Sequence, residues 1–126
     1  MTEADFVDIM IIGNHTAKPP RKDGKNKEGQ DHFIITFSLS RNARPPWIEA
    51  FNRIWSERSK QVPSLPLPIV SDDQIQITCP LDDRLQGHLD DLKRGVAATN
   101  QAYRAYLRAA EDEKRHHDDL LQRLLF

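Results

Sequence analysis

The last third of the chain, residues 80–126, places the strongest constraint on its fold. Leu85, Leu89, Leu92, Val96, Thr99, Tyr103, Tyr106 and Ala110 succeed one another at alternating steps of four and three, the seam of a heptad repeat. Leu89, Val96, Tyr103 and Ala110 take the a positions, and Leu85, Leu92, Thr99 and Tyr106 take d. Glu113 and His117 interrupt the seam before Leu120 and Leu124 resume it. No proline follows Pro80, and Asp82 and Asp83 set negative charge at the positive end of the helix dipole. Asp90 with Arg94, Glu111 with Arg115 and Asp119 with Arg123 are acid-before-base pairs four apart, the favourable orientation on an exposed helix face. Gly87 and Gly95 oppose the helix at about 1 kcal/mol each relative to alanine, and mark either a bend or a close helix–helix approach.

At about 1.5 Å per residue a helix over 80–126 runs roughly 65–70 Å, whereas a domain of this size has a radius of gyration near ~14 Å. Its far end must pair with another chain, fold back, or stand in solvent. Leu120, Leu121, Leu124, Leu125 and Phe126 disfavour standing alone. The expectation is a homo-oligomer, with a dimer favoured, joined through Leu89, Leu92, Val96, Tyr103, Tyr106, Ala110, His117, Leu120 and Leu124. His117 at an a position beside Glu113 at d is the kind of polar interruption that fixes register in a coiled coil. Facing a partner's Glu113, it would make association depend on pH.

The remainder, residues 1–79, reads as a small α+β sheet domain from which the helix departs, the whole forming one structural unit. Phe6 to Ile12 reads as a first strand apolar on both faces, which belongs inside a sheet or has its second face covered by a partner. Residues 14–31 form a long polar connection with Pro19, Pro20, Gly24 and Gly29, read as an irregular, disorder-prone loop. Its Lys18, Arg21, Lys22, Lys25 and Lys27 outnumber Asp23 and Glu28, so it is either an anion- or nucleic-acid-contacting arm or a solvated hairpin loop. No aromatic residue is interleaved to stack on bases. His32 to Ser40 alternates cleanly as a second strand, and an antiparallel hairpin with the first is the simplest pairing.

Pro45-Pro46 opens an amphipathic helix on which Trp47, Ile48, Phe51, Ile54 and Trp55 make one stripe, the main packing of a small core. Gln61 to Ser71, with Pro63, Pro66 and Pro68, is an extended crossover along the surface, or a segment of the kind that aromatic grooves bind. Gln74 to Cys79 alternates as a third strand. A helix joins the second and third strands, so a right-handed parallel crossover is expected. The resulting fold is β-β-α-β-α, a three-stranded mixed sheet in the order 2-1-3, with a short amphipathic helix and a long coiled-coil-like helix.

Chemistry is sparse. There is no phosphate-binding glycine loop, no H-E-x-x-H and no G-x-S-x-G. His88 with Asp91 and His116 with Asp119 lie one turn apart and could each offer two ligands to a metal across a dimer, but equally fit a solvated helix face. One cysteine excludes an internal disulfide framework. A net charge of −1 gives no global attraction to nucleic acid or anionic membrane. No apolar run is long enough to span a bilayer, and the acidic N-terminus is unlike a signal peptide, so the expected home is the reducing cytoplasm. No cofactor, metal or catalytic residue is implied. The expected role is a non-enzymatic interaction or scaffold module that self-associates through its C-terminal helix, with an additional protein partner left open. The alternative is a nucleic-acid-associated protein that touches phosphate through the basic 18–27 loop.

Overall fold

The computed structural model describes all residues, 1–126, as an α+β protein in which two helices cover one face of an antiparallel sheet. After a 3-10 turn at Glu3–Asp5, the elements are β1 (Ile11–Asn14), β2 (Arg21–Lys25), β3 (Asp31–Leu39), α1 (Pro45–Gln61), β4 (Ile69–Ser71), β5 (Gln74–Cys79) and α2 (Leu85–Gln122). The α+β class and the long helix match the sequence; the sheet differs.

It has five strands rather than three, in the order β1-β3-β5-β4, with β2 also on β3. Every ladder is antiparallel. β1 and β2 lie end to end along one edge of β3: β1 covers Phe37 to Leu39, and β2 covers Asp31 to Ile34. Within the stretch 14–31, Arg21–Lys25 thus forms a strand that makes a hairpin with β3, while residues 15–20 remain irregular. Asn26 holds the hairpin's turn by accepting from the backbone N–H groups of Glu28 and Gln30 through Oδ1. Gly29 and Gly24, at φ of 79° and 76°, adopt the left-handed conformations that the turn and the irregular β2 register require.

The two strands expected to run parallel, His32–Ser40 and Gln74–Cys79, are antiparallel neighbours, and the helical crossover joins β3 to β4 instead. β5 is antiparallel to β3, and β4 is antiparallel to β5, so β3 and β4 run in the same direction with β5 between them. The chain leaves β3, returns through α1 and the proline segment to β4, then reverses at Asp72-Asp73 into the gap. Asp72 takes a left-handed φ of 53° there, and its carbonyl accepts from Ala43 N–H at 2.7 Å.

The first strand is also revised. Residues 6–10 form a strap, and the ladder starts only at Ile11. Phe6 and Ile9 are buried, while Val7, Met10 and Ile12 face outward. The physical reason is Asn100 on α2. Its Oδ1 accepts from Ile9 N–H at 3.2 Å and its Nδ2 donates to Ile9 C=O at 2.8 Å, taking the donor and acceptor that a neighbouring strand would have used.

The core fills the space between sheet and helices. Ile35, Phe37, Leu39, Ile75, Ile77, Cys79 and Val70 point from the strands toward Trp47, Phe51 and Trp55 of α1 and Leu92, Val96, Tyr103 and Leu107 of α2. Phe51 stacks between the two tryptophans at ring separations of 5.7 and 5.8 Å. The Trp55 indole N–H reaches Pro66 C=O at 3.2 Å, which ties the proline segment down along the body. Burial pushes the Cys79 thiol up, away from reactive thiolate behaviour.

Candidate functional site: the uncovered half of the long helix

α2 starts at Leu85, where Asp82 Oδ1 accepts from Arg84 N–H at 2.9 Å, and continues unbroken through Gly87 and Gly95 to Gln122. Its 38 residues span about 57 Å. The first half belongs to the body. α1 runs antiparallel along it, as three contacts in reverse order show. Arg58 pairs with Asp91 at 2.8 Å, Phe51 and Trp55 lie against Gly95, and Trp47 Nε1 donates to Asn100 Oδ1 at 3.0 Å. A β-carbon at Gly95 would come within 3.3 Å of Trp55 and 3.4 Å of Phe51, so this glycine marks the close helix approach. The strap covers an adjacent face: Asp8 pairs with Arg104 at 2.8 Å, Glu3 pairs with Arg108, and Glu3 N–H donates to Glu111. Arg108 beside Glu3 holds that carboxyl below the usual range.

Beyond Glu111 the body ends. Residues 112–122 continue for roughly 16 Å with only helix-internal ion pairs, such as Asp112–Arg115 and Asp119–Arg123. The nine proposed interface positions therefore separate into two groups. Leu92, Val96 and Tyr103 are buried in their own chain's core, and Leu89 packs against its edge. Tyr106, Ala110, His117, Leu120 and Leu124 are exposed, with Tyr106 61 %, Leu120 47 % and Leu124 54 % accessible. Leu121, Leu125 and Phe126 are exposed beside them.

The handover has a geometric cause. A straight α-helix drifts about 20° per heptad against a 3.5-residue repeat. The covered stripe follows the helix, from Tyr103 to Leu107 to Glu111, while the heptad seam turns away through Tyr106 and Ala110 to Glu113, His117, Leu120 and Leu124. Those outer positions continue the side of α2 that α1 occupies at Asp91 and Gly95, and they are exposed beyond it. Tyr106 stacks on Tyr103 at 6.1 Å, so its ring is held at the start of the open strip. His117 Nε2 lies 3.9 Å from Glu113 Oε1, both exposed.

The basic residues are brought to the β2–β3 hairpin but not to one point. Lys22 and Lys25 both pair with Asp31, at 3.4 and 2.8 Å, and hold its carboxyl below the usual range, chiefly through the Lys25 hydrogen bond. Lys18 Nζ donates to Gln74 Oε1 at 2.6 Å, and Lys27 lies in the exposed turn. Lys18 and Arg21 border a groove of about 460 Å³ on the sheet face that no helix covers, floored by Ile34, Thr36 and Gln76. No three histidine, cysteine, aspartate or glutamate side chains converge in metal-binding geometry, and Asp91 is engaged by Arg58 and Arg94.

Asn100 was not singled out by sequence reasoning. The available signal was a polar residue beside Thr99 in the middle of an otherwise apolar seam. No helix is long and apolar enough to cross a membrane. Comparison with known proteins finds no family model, curated protein or solved structure that matches the chain.

Proposed function

We propose that this protein is a non-catalytic interaction module that self-associates, dimerically, through the outer half of α2. A single observation carries the reading. The strip Tyr106, Ala110, Glu113, His117, Leu120, Leu124 continues the side of α2 that α1 fills, and it projects uncovered beyond the body. Exposed apolar side chains gathered at one end of a projecting helix are the common form of an association surface. A second copy of the same strip supplies the missing neighbour, and dimers of this kind close on themselves without further growth. The module would work in a reducing compartment such as the cytosol, where its single buried cysteine meets no disulfide partner.

Sedimentation velocity of the full chain against Leu120→Asp with Leu124→Asp tests this. The wild type should sediment as a dimer, and the double variant as a folded monomer with unchanged helical content. Identical sedimentation of both proteins would remove the reading.

A second reading is that the β2–β3 hairpin, which carries Arg21, Lys22 and Lys25 on its exposed strand and Lys27 in its turn, contacts phosphate. It requires a low-salt gel shift that disappears when Lys22, Lys25 and Lys27 become alanine.

A further inference from the structure

The outer strip also carries information about direction. From the geometry and charge of this strip we infer that two copies of the chain pair antiparallel, crossing beside Arg115. This inference rests on the self-association proposed above and adds its orientation.

The argument begins with the two polar residues that interrupt the strip. In a parallel pair each position meets its own copy, so Glu113 would face Glu113 of the partner subunit and His117 would face His117 of the partner subunit. The two facing Glu113 carboxylates at the centre of a helix interface cost association energy and select against that arrangement. In an antiparallel pair centred on Arg115, residues equally far from the centre face each other. Glu113 and His117 stand two residues to either side, so each His117 meets the partner's Glu113, and the pair occurs twice.

The same centre aligns the apolar positions. Ala110 and Leu120 are each five residues away, and Tyr106 and Leu124 each nine, so small faces large and leucine faces an aromatic ring. Leu124 follows just after the last helical residue, Gln122, so this contact would also order the end of the helix. The antiparallel tail lies along the open side of α2 in the direction that α1 already takes, ending where α1 begins. The rim carries two opposing features: Lys114 on one flank of the seam and His116 on the other each stand one residue from the centre and come near their own copies. Solvated side chains at a rim contribute little in either direction.

The groups around His117 are few. Glu113, Lys114, His116 and Asp118 are its charged or titratable neighbours on its own helix, no other element of the chain packs against it, and Glu113 and Lys114 approach from the partner.

Site-directed disulfide trapping in the full chain tests the orientation. Ala110→Cys and Leu120→Cys, both at exposed positions, are prepared separately with different affinity tags and then oxidised alone and as a mixture. The antiparallel pair should give the crossed Ala110→Cys/Leu120→Cys disulfide at least ten-fold over either self-linked species. Predominant self-linked species would overturn the orientation while leaving association intact. A dimer by mass that forms no disulfide would overturn the register. A monomer by mass would instead defeat the association reading itself. Exchanging the charges gives a second readout. His117→Glu should weaken the dimer at least ten-fold at neutral pH, and adding Glu113→Lys should restore it. A double variant weaker than the single one would point to parallel pairing.

Discussion

The two halves of α2 carry one amphipathic pattern and meet different fates. From Leu85 to Leu107 the apolar stripe is covered by the sheet, α1 and the N-terminal strap, down to the paired amide of a buried asparagine. From Tyr106 onward the seam continues with nothing over it. The difference teaches that a heptad seam signals a neighbour without naming the chain that provides it. Here the first part of the seam is satisfied within the chain, and only the remainder is open to a second copy.

The largest expected effect tests how far the covered half depends on Asn100. Asn100→Ala would leave the N–H and C=O of Ile9 and the indole N–H of Trp47 without their partner in a buried site. At about 1–3 kcal/mol per buried unsatisfied group, a loss of about 3 kcal/mol or more is expected in chemical denaturation. A loss under about 1 kcal/mol would mean that the strap is peripheral.

Opposite in kind, Leu120→Asp with Leu124→Asp should leave monomer stability within about 0.5 kcal/mol, as exposed substitutions do, while abolishing association. Cooperative unfolding at an unchanged denaturant midpoint under dissociating dilution checks the first half of that statement.

The helix glycines sharpen the comparison within the covered half. Gly95→Ala pushes a β-carbon against Trp55 and Phe51, which are themselves stacked and fully packed, and should cost about 1 kcal/mol after the gain in helix propensity. Gly87→Ala meets nothing within 4 Å and should stabilise by about 0.5–1 kcal/mol. Thermal melts of the two variants should move in opposite directions.

The smallest effect concerns acid. Burial raises the Asp91 carboxyl, but the hydrogen bonds from Arg94 and Arg58 outweigh it, so the group is held below the usual carboxylate range. A depressed folded-state value means that the contribution is complete above the unfolded value near ~3.9 and is lost as pH falls through the lower folded value. Stability measured from pH 5 down to 2 should therefore decline less steeply in Asp91→Asn than in the wild type.

The sequence made some elements visible because their burial is one-sided. Phe33 to Leu39 and Ile75 to Cys79 alternate cleanly, and the tryptophan stripe of α1 follows a helical period, so all three were placed well. β2 was hidden because Arg21 to Lys25 is exposed at every residue and has no apolar face to detect. β4 was hidden by its length of three residues after a proline-rich run; the signal available was Asp72-Asp73 between two short apolar segments, a two-residue hairpin. That omission also misplaced the crossover, which was assigned to the strand after the hairpin instead of the strand before it. Residues 6–10 misled for another reason: an amide side chain 91 positions away supplies the hydrogen bonds of a strand neighbour, and no local pattern encodes that. At the candidate site, Tyr106, Ala110, His117, Leu120 and Leu124 were legible as seam positions. That Leu92, Val96 and Tyr103 are consumed internally depends on where α1 begins and where the strap lies, which only the fold determines.

The absolute mass of the full chain in solution, by light scattering over a range of concentrations, tests the central claim most directly. A mass approaching twice the chain's 14.5 kDa, falling toward 14.5 kDa on dilution and in the Leu120→Asp, Leu124→Asp variant, is the expected result. A mass of 14.5 kDa at every concentration would contradict it, leaving the outer half of α2 without a second copy of itself as its neighbour.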